Sequence, residues 1–348
     1  MPSFSRPPST EEELEEVLTQ PTPGTIEAMR DLGGDLMILG AGGKMGPTMA
    51  ALAVRSIAAA GKKHRVICVS RFGASSKKHV ETLHGIGAET ISADLLERDS
   101  LAKLPDVPNI MYLAGMKFGT EGAPSMTWAM NVFVPAIVAE RFTKARIVAL
   151  STGNVYPFVP VRSGGATEEV TPGPIGDYAN SCLGRERMFE YMATRHGTKS
   201  VLVRLNYAND LRYGVLLDIA NKVKAQQPID LAMGYANSIW QGDANAVCLR
   251  SFPLAANPAA YLNLTGPELV SIRDLALRVA KGLGLPAPTF VGKESENALL
   301  NNAAKCHTLF GKPDMSIDTL IDWTIHWVKV GGATLNKPSH FEVRDGKF

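Results

Sequence analysis

The chain is sparing with cysteine, holds its two kinds of charge in near balance, and has no long apolar run. Four cysteines occur in 348 residues, Cys68, Cys182, Cys248 and Cys306, with no Cys-x-x-Cys pair among them. That excludes a disulfide scaffold, and Cys306-His307 lacks the second ligand pair of a metal site, so no metal is expected. Cys68 lies inside an apolar strand pattern and reads as a buried thiol. Unpaired thiols fit a reducing compartment, which implies a cytoplasmic protein. Lysine and arginine total 36 against 34 acidic residues, a formal charge of +2. The nearest thing to a basic run, Lys62-Lys63-His64-Arg65, reads as a solvated loop, so no nucleic-acid partner is expected. No apolar stretch reaches membrane-spanning length, and the polar, acidic N-terminal segment does not read as a signal peptide. A soluble chain with no membrane partner follows.

What is there is a globular balance, 45% hydrophobic and 20% charged. Short apolar or β-branched runs recur at Leu36–Leu39, Val66–Val69, Thr90–Ala93, Ile110–Ala114, Arg146–Leu150 and Val201–Val203, with helical spacing between them. Continuous apolar strands alternating with helices imply a parallel sheet covered on both faces and wound in both directions. Residues 1–34 precede this pattern. In them, Thr10-Glu11-Glu12-Glu13 reads as a capping box for a short helix that Pro21 and Pro23 end. That arm could pack on its own domain or on a neighbouring subunit. Beyond residue 206 the pattern loosens. Tyr261–Leu264 reads as a strand, and Ser271–Asp274 caps a helix that closes at Gly282 and Gly284. Leu320, Trp323 and Trp327 share one face of a late helix and read as core.

The most informative stretch is Gly40-Ala41-Gly42-Gly43-Lys44-Met45-Gly46, between the first strand and a helix-like segment. Gly40 suits a sharp turn off the strand, Gly43 a close approach of backbone N–H groups to phosphates, and Gly46 tight packing of helix on sheet. Together these are what a dinucleotide pyrophosphate needs at a helix N-terminus.

Several motifs then stand in the order of the extended short-chain dehydrogenases/reductases, the group of NAD(P)-dependent epimerases and dehydratases, and the chain resembles that family from about Asp35 to Trp327. Gly40, Gly43 and Gly46 match its glycine spacing. Asp94-Leu95 sits where family members hold adenine. Leu113-Ala114-Gly115-Met116-Lys117 is similar to the loop under the nicotinamide ribose, and Asn131 to the helix-borne asparagine. Ser151–Tyr156 resembles the strand-five motif, with Thr152 at the catalytic hydroxyl, and Tyr178 matches the catalytic tyrosine. The resemblance implies an α/β, doubly wound parallel-sheet Rossmann fold with a smaller C-terminal substrate-binding subdomain. Its expected limits are 1–34 for the extension, 35–205 for the Rossmann domain, 206–335 for the subdomain and 336–348 for a tail. Glycine-loop residues Lys44 and Met45 join the expected cofactor contacts.

Alcohol oxidation needs a base for the hydroxyl proton while hydride leaves the carbon, and a tyrosinate beside the cofactor can serve. The family lowers the tyrosine pKa with a lysine four residues on. Here that position holds Cys182. At an unshifted pKa of about 10, roughly 0.1% of the phenol would be ionised at pH 7. Two cations could stand in, Lys117 on the ribose loop or Arg185 two turns along the helix, and Lys117 is preferred.

Ser70-Arg71 replaces the usual carboxylate after the second strand, with Lys77 and Lys78 following, which favours NADP over NAD. Asn154, Asn206 and Tyr207 are expected beside Thr152 on the substrate side, with Arg212 near them. The segment Ala225–Val247, where family members carry a basic clamp for a nucleotide-sugar diphosphate, has no lysine or arginine. That favours a smaller hydroxy compound over a nucleotide-sugar. Asp243 could equally be a helix cap. Three functions remain open: an NAD(P)-dependent oxidoreductase or epimerase on a carbohydrate-like or hydroxy-acid substrate, a non-catalytic sensor or scaffold, and a lyase or isomerase. Apolar residues on 126–142 and 178–194 suit a homodimer or simple core packing.

Overall fold

The structure is a computed structural model describing residues 6–73, 76–117, 119–120 and 122–347; the side chain of Lys78 lies outside the described residues. Its centre is a seven-stranded sheet, β1 (Leu36–Leu39), β2 (Val66–Ser70), β3 (Glu89–Ser92), β4 (Asn109–Tyr112), β5 (Arg146–Thr152), β6 (Lys199–Leu205) and β7 (Ala260–Leu264). Their spatial order is β7-β6-β5-β4-β1-β2-β3, every neighbouring pair parallel. The order reverses between β1 and β4, where the carboxyl ends of the strands open a crevice for ligand.

The apolar strand sequences follow from burial on both faces. Leu36 and Ile38 face one core, with the helices Gly46–Ala59 and Gln241–Arg250. Met37 and Leu39 face the other, with Val134–Arg141 and with Phe189 of the helix Gly176–His196. Cys68 is fully buried, and all four cysteines are free. A third core holds the later part of the chain, where Leu320, Trp323 and Trp327 are buried on the helix Ile317–Lys329. Ser271 caps Ile272–Leu283 by accepting from the Asp274 N–H, and Gly284 ends it at φ +71°. Among the described residues no helix is long and apolar enough to cross a membrane.

The N-terminal segment packs on its own chain. Thr10 caps Glu11–Leu18, but Glu13 accepts from the Ser9 N–H rather than from the cap, so the box is displaced by one residue. Pro23 starts a second helix, Pro23–Arg30, behind the Thr22 cap, where the sequence reading had the prolines only as an end. Leu14 and Leu18 enter the third core, and Met29 the sheet core. Each buried leucine or methionine is worth about 1.5–3 kcal/mol, enough to hold so short an arm down.

Candidate active site

The carboxyl ends of β1, β4, β5 and β6 surround a cavity of about 260 Å3. Its wall brings together Gly40, Gly43, Lys44, Met45 and Gly46, then Leu113, Gly115 and Lys117, and then Thr152, Asn154, Tyr178, Asn206 and Tyr207. Residues scattered over some 170 positions thus share one chamber, as the strand order requires. Ser70, Arg71, Asp94, Leu95, Ala114 and Asn131 lie outside its wall.

The glycine loop is held by backbone geometry. The Gly40 and Ala41 N–H groups both donate to the Val69 carbonyl, at 2.9 and 3.1 Å. Gly40 has φ +89°, and a Cβ there would sit 2.6 Å from the Ala114 nitrogen, so only glycine lets the loops after β1 and β4 touch. A Cβ on Gly46 would overlap the Ala41 carbonyl, which fixes the start of Gly46–Ala59 against the strand end. Gly40→Ala is expected to cost about 1–3 kcal/mol of stability and to open this cradle. Urea unfolding checks it, and an unchanged midpoint would contradict the cradle's geometry.

The ribose-type loop is braced from beneath. Asn131 Oδ1 accepts from the Met116 N–H and Nδ2 donates to the Met116 carbonyl, both at 2.8 Å. Asn131 sits in a π-helical turn, Ala129–Phe133, closed by the Val134 N–H on the Ala129 carbonyl. Pro135, four residues on, has no N–H for the Asn131 carbonyl, which accounts for the widened turn. Pro135 was the sequence signal for it. So Asn131 shapes the cavity from behind.

Thr152 ends β5 and accepts from both the Asn154 backbone N–H (3.2 Å) and Nδ2 (3.0 Å). Tyr178, near the start of Gly176–His196, hydrogen-bonds Thr152 and Cys182. Burial pushes the Tyr178 phenol well above 10, and the Cys182 thiol adds to that rise. The Arg185 guanidinium and the Thr152 bond pull the other way without cancelling it. Arg185 folds back beneath the loop after β4, donating to the Leu150 carbonyl at 2.6 Å and to Asn131 Oδ1 at 2.8 Å. Its Nε is buried with no partner among the described residues, and the side chain reaches the cavity wall. Arg185, one of the two expected stand-in cations, spans the two helical turns with its long side chain. Lys117 also reaches Tyr178, with Nζ 5.8 Å from the ring centroid, and donates to the Ser339 carbonyl at 3.1 Å. Cys182 is buried among Val155, Tyr156 and Ala166, one turn from Tyr178 and beside Arg185.

Asn206 is tied by Nδ2 to Asn237 Oδ1 (2.8 Å), and Tyr207 takes φ +41° as the chain leaves β6. Arg212 turns away and pairs with Asp210 and Glu15 at 2.7 Å each. Asp243 is no cap. It lies in the first turn of Gln241–Arg250 and accepts from the Met315 N–H at 3.0 Å, and burial pushes its carboxyl up to about 7. Ser70 abuts Gly42, Arg71 is exposed, and Asp94 accepts from the Leu96 N–H at 3.0 Å.

The sequence reading missed the C-terminal segment, taken only as a tail. Ser339 lines the cavity and gives its N–H (2.7 Å) and hydroxyl (2.5 Å) to Asp218 Oδ2. Phe341 is buried in the third core, and Lys222 pairs with Glu342 at 2.9 Å. Of residues 333–347, Ser339 therefore reaches the chamber. The one apolar anchor, Phe341, stands among polar neighbours and gives no periodic signal.

No family model and no curated protein sequence matches the chain. Solved structures do match. The UDP-glucuronic acid 4-epimerase of Bacillus cereus, in complex with UDP-glucuronic acid and NAD, superposes with a TM-score of 0.69 at 18% identity, over 85% of this chain and 99% of that one. The UDP-glucose 4-epimerase of Thermus thermophilus, in complex with NAD, gives 0.68 at 17%, over 86% and 100%. Pal from Bacillus thuringiensis gives 0.68 at 16%, over 85% and 99%. The chain has their fold. The Rossmann architecture expected from the motif order is thereby shown.

Proposed function

We propose that the chain is a nicotinamide-dinucleotide-dependent oxidoreductase or epimerase acting on a hydroxyl-bearing, carbohydrate-like or hydroxy-acid compound. The observation that carries this is the meeting of Tyr178 and Thr152 in hydrogen-bond contact within the chamber that begins at Gly40–Gly46. A glycine cradle that a single Cβ would fill, at a helix N-terminus, fits a pyrophosphate. NAD-bound structures of the same fold add to that reading.

In this reading a bound nicotinamide coenzyme would supply the acceptor for the hydride that leaves the substrate carbon. Thr152 orients the substrate hydroxyl, and Tyr178 Oη takes its proton, returning it when the reaction reverses. Arg185 supplies the positive charge that the family draws from lysine, and Lys117 adds a second charge beside the ring. Cys182 packs and passes a hydrogen bond. Asp94 and Leu95 would hold the adenine, and Leu113, Ala114, Gly115 and Lys117 the nicotinamide ribose. Asn154, Asn206 and Tyr207 contact substrate. A sensor or scaffold would need neither Tyr178 nor Thr152.

Ser70 and Arg71 support NADP over NAD, since no carboxylate ends β2 and the exposed guanidinium suits a 2′-phosphate. The two epimerase structures named above hold NAD. Met126, Trp128, Phe133 and Tyr191 leave large apolar side chains exposed on the two helices expected to dimerise, which supports a homodimer. Calorimetric titration with NAD and NADP, oxidised and reduced, tests the function. Saturable binding is expected, tighter for NADP and weakened at least about 10-fold by Arg71→Glu. Absence of heat with all four would overturn the reading.

A further inference from the structure

The Lys44 side chain leaves the glycine loop and crosses to the segment after β6. Its Nζ donates to the Ala208 carbonyl at 3.2 Å and stands 3.8 Å from the Tyr213 ring centroid. Both contacts come from one short turn. Asp210 and Tyr213 exchange backbone bonds there, each N–H donating to the other's carbonyl at 3.0 and 2.8 Å. Gly214 follows at φ +126°, where a Cβ would overlap Asn209 Oδ1, so only glycine lets the chain leave the turn this way.

Arg212 lies inside this turn and ties it shut. The Asp210 carboxylate accepts from the Arg212 backbone N–H at 2.8 Å, from Nε at 3.0 Å and from Nη2 at 2.7 Å. Arg212 Nη1 faces the N-terminal helix Glu11–Leu18, meeting Glu15 at 2.7 Å and Glu11 at 3.4 Å. Asp210 is 3% exposed and the Arg212 side chain 10%, against 43% for Glu15. The inner pair is therefore desolvated and bidentate, and the outer one is screened by solvent.

Resting on the function proposed above, we infer that Arg212 is a positioning residue for the coenzyme: it fixes the turn Asp210–Tyr213 that holds Lys44, and through Lys44 the glycine loop that receives the pyrophosphate. The carboxylates of the N-terminal arm hold Arg212 in turn, which gives that arm a part in coenzyme binding.

The same groups act on the charge of Lys44. Burial pushes its ammonium down to about 7, Asp210 pulls it up, and Lys117 and Arg212 push it down. With the Tyr213 ring, these are the charged and titratable groups that face it from the loop after β4 and from the turn. Neutralising Arg212 removes a repulsion and frees the Asp210 carboxylate, and both changes raise Lys44. Neutralising Asp210 removes the attraction and leaves the repulsion, which lowers it further. A protonated Lys44 favours an anionic coenzyme, so affinity is greatest below the Lys44 pKa and falls as pH climbs through it.

The test is calorimetric titration with NAD, whose diphosphate keeps its charge between pH 6 and 9, at steps across that range. In the wild-type protein affinity should begin to fall near pH 7, with protons taken up on binding. Arg212→Gln and Asp210→Asn should each weaken binding at pH 6 by about 3- to 30-fold, because both loosen the turn. The midpoint of the pH profile should move up in Arg212→Gln and down in Asp210→Asn, by about half a unit or more in each. Glu15→Gln should weaken binding by about 2- to 5-fold, and no change there would overturn the part given to the arm. Weaker binding with both midpoints unmoved, or moved in the same direction, marks a merely structural role and overturns the inference. So does unchanged affinity in both variants. Should Arg212→Gln fail to fold, Asp210→Asn decides alone, since its midpoint must fall. Failure of the wild-type chain to bind NAD or NADP at any pH overturns the underlying function instead.

Discussion

Tyr178→Phe is expected to cut turnover by about 10^3-fold or more while coenzyme binding stays within a few-fold of wild type. The phenol oxygen is the group placed to move the substrate proton, and general acid–base catalysis contributes about 10^2–10^4-fold. The ring itself packs in the wall and survives the change. Progress at the reduced-nicotinamide absorbance band measures it. Turnover unaffected by the substitution would remove Tyr178 from its role. The direction of its pKa shift adds a pH signature. Because burial holds the phenol well above 10, the ionised fraction climbs about tenfold per pH unit from neutrality. With saturating substrate and coenzyme, kcat for oxidation should therefore still be rising at pH 9. A plateau by pH 7 would mean another group takes the proton.

The second large effect is on stability. Glu186, two turns beyond Tyr178, accepts from Arg204 Nε and Nη2 at 3.0 and 2.7 Å and from the Ser151 hydroxyl at 2.6 Å. Arg204 also donates to the Tyr156 hydroxyl at 2.7 Å. Both charges are sealed from solvent, Glu186 at 0% and Arg204 at 3% exposure. Breaking such a pair leaves a buried guanidinium uncompensated, at about 3–5 kcal/mol. Glu186→Ala should lose that much in urea unfolding. Replacing both partners, with Glu186→Leu and Arg204→Met, should lose less than the single change. A single-change loss below about 1 kcal/mol would show that the network does not hold the tyrosine helix to β5 and β6.

Much of this was legible in the chain. Continuous apolar runs gave the central strands, because both of their faces are covered, while the edge strand β3, Glu89–Ser92, is part-exposed and polar at its ends. The glycine loop could be placed because its geometry is local, a turn between a strand and a helix, whereas Thr152 and Tyr178 were legible only through the resemblance of their motifs. What escaped was long-range. Lys44 reads only as a cofactor contact of the glycine loop until Ala208 and Tyr213 arrive beside it from 164 and 169 positions away. Residues 333–347 are held by scattered contacts, Ser339 with Asp218 and Lys117, Glu342 with Lys222, and Arg344 with the Ala232 and Asn297 carbonyls, which leave no period to read.

The account turns on a nicotinamide coenzyme lying across Gly40–Gly46 with its ring beside Tyr178. A crystal structure of the protein grown with NADP or NAD tests that most directly. The account predicts the pyrophosphate on the backbone N–H groups of the glycine loop and the nicotinamide ring in the chamber beside Thr152 and Tyr178. A coenzyme bound elsewhere, or a glycine loop left empty at saturating coenzyme, would contradict it.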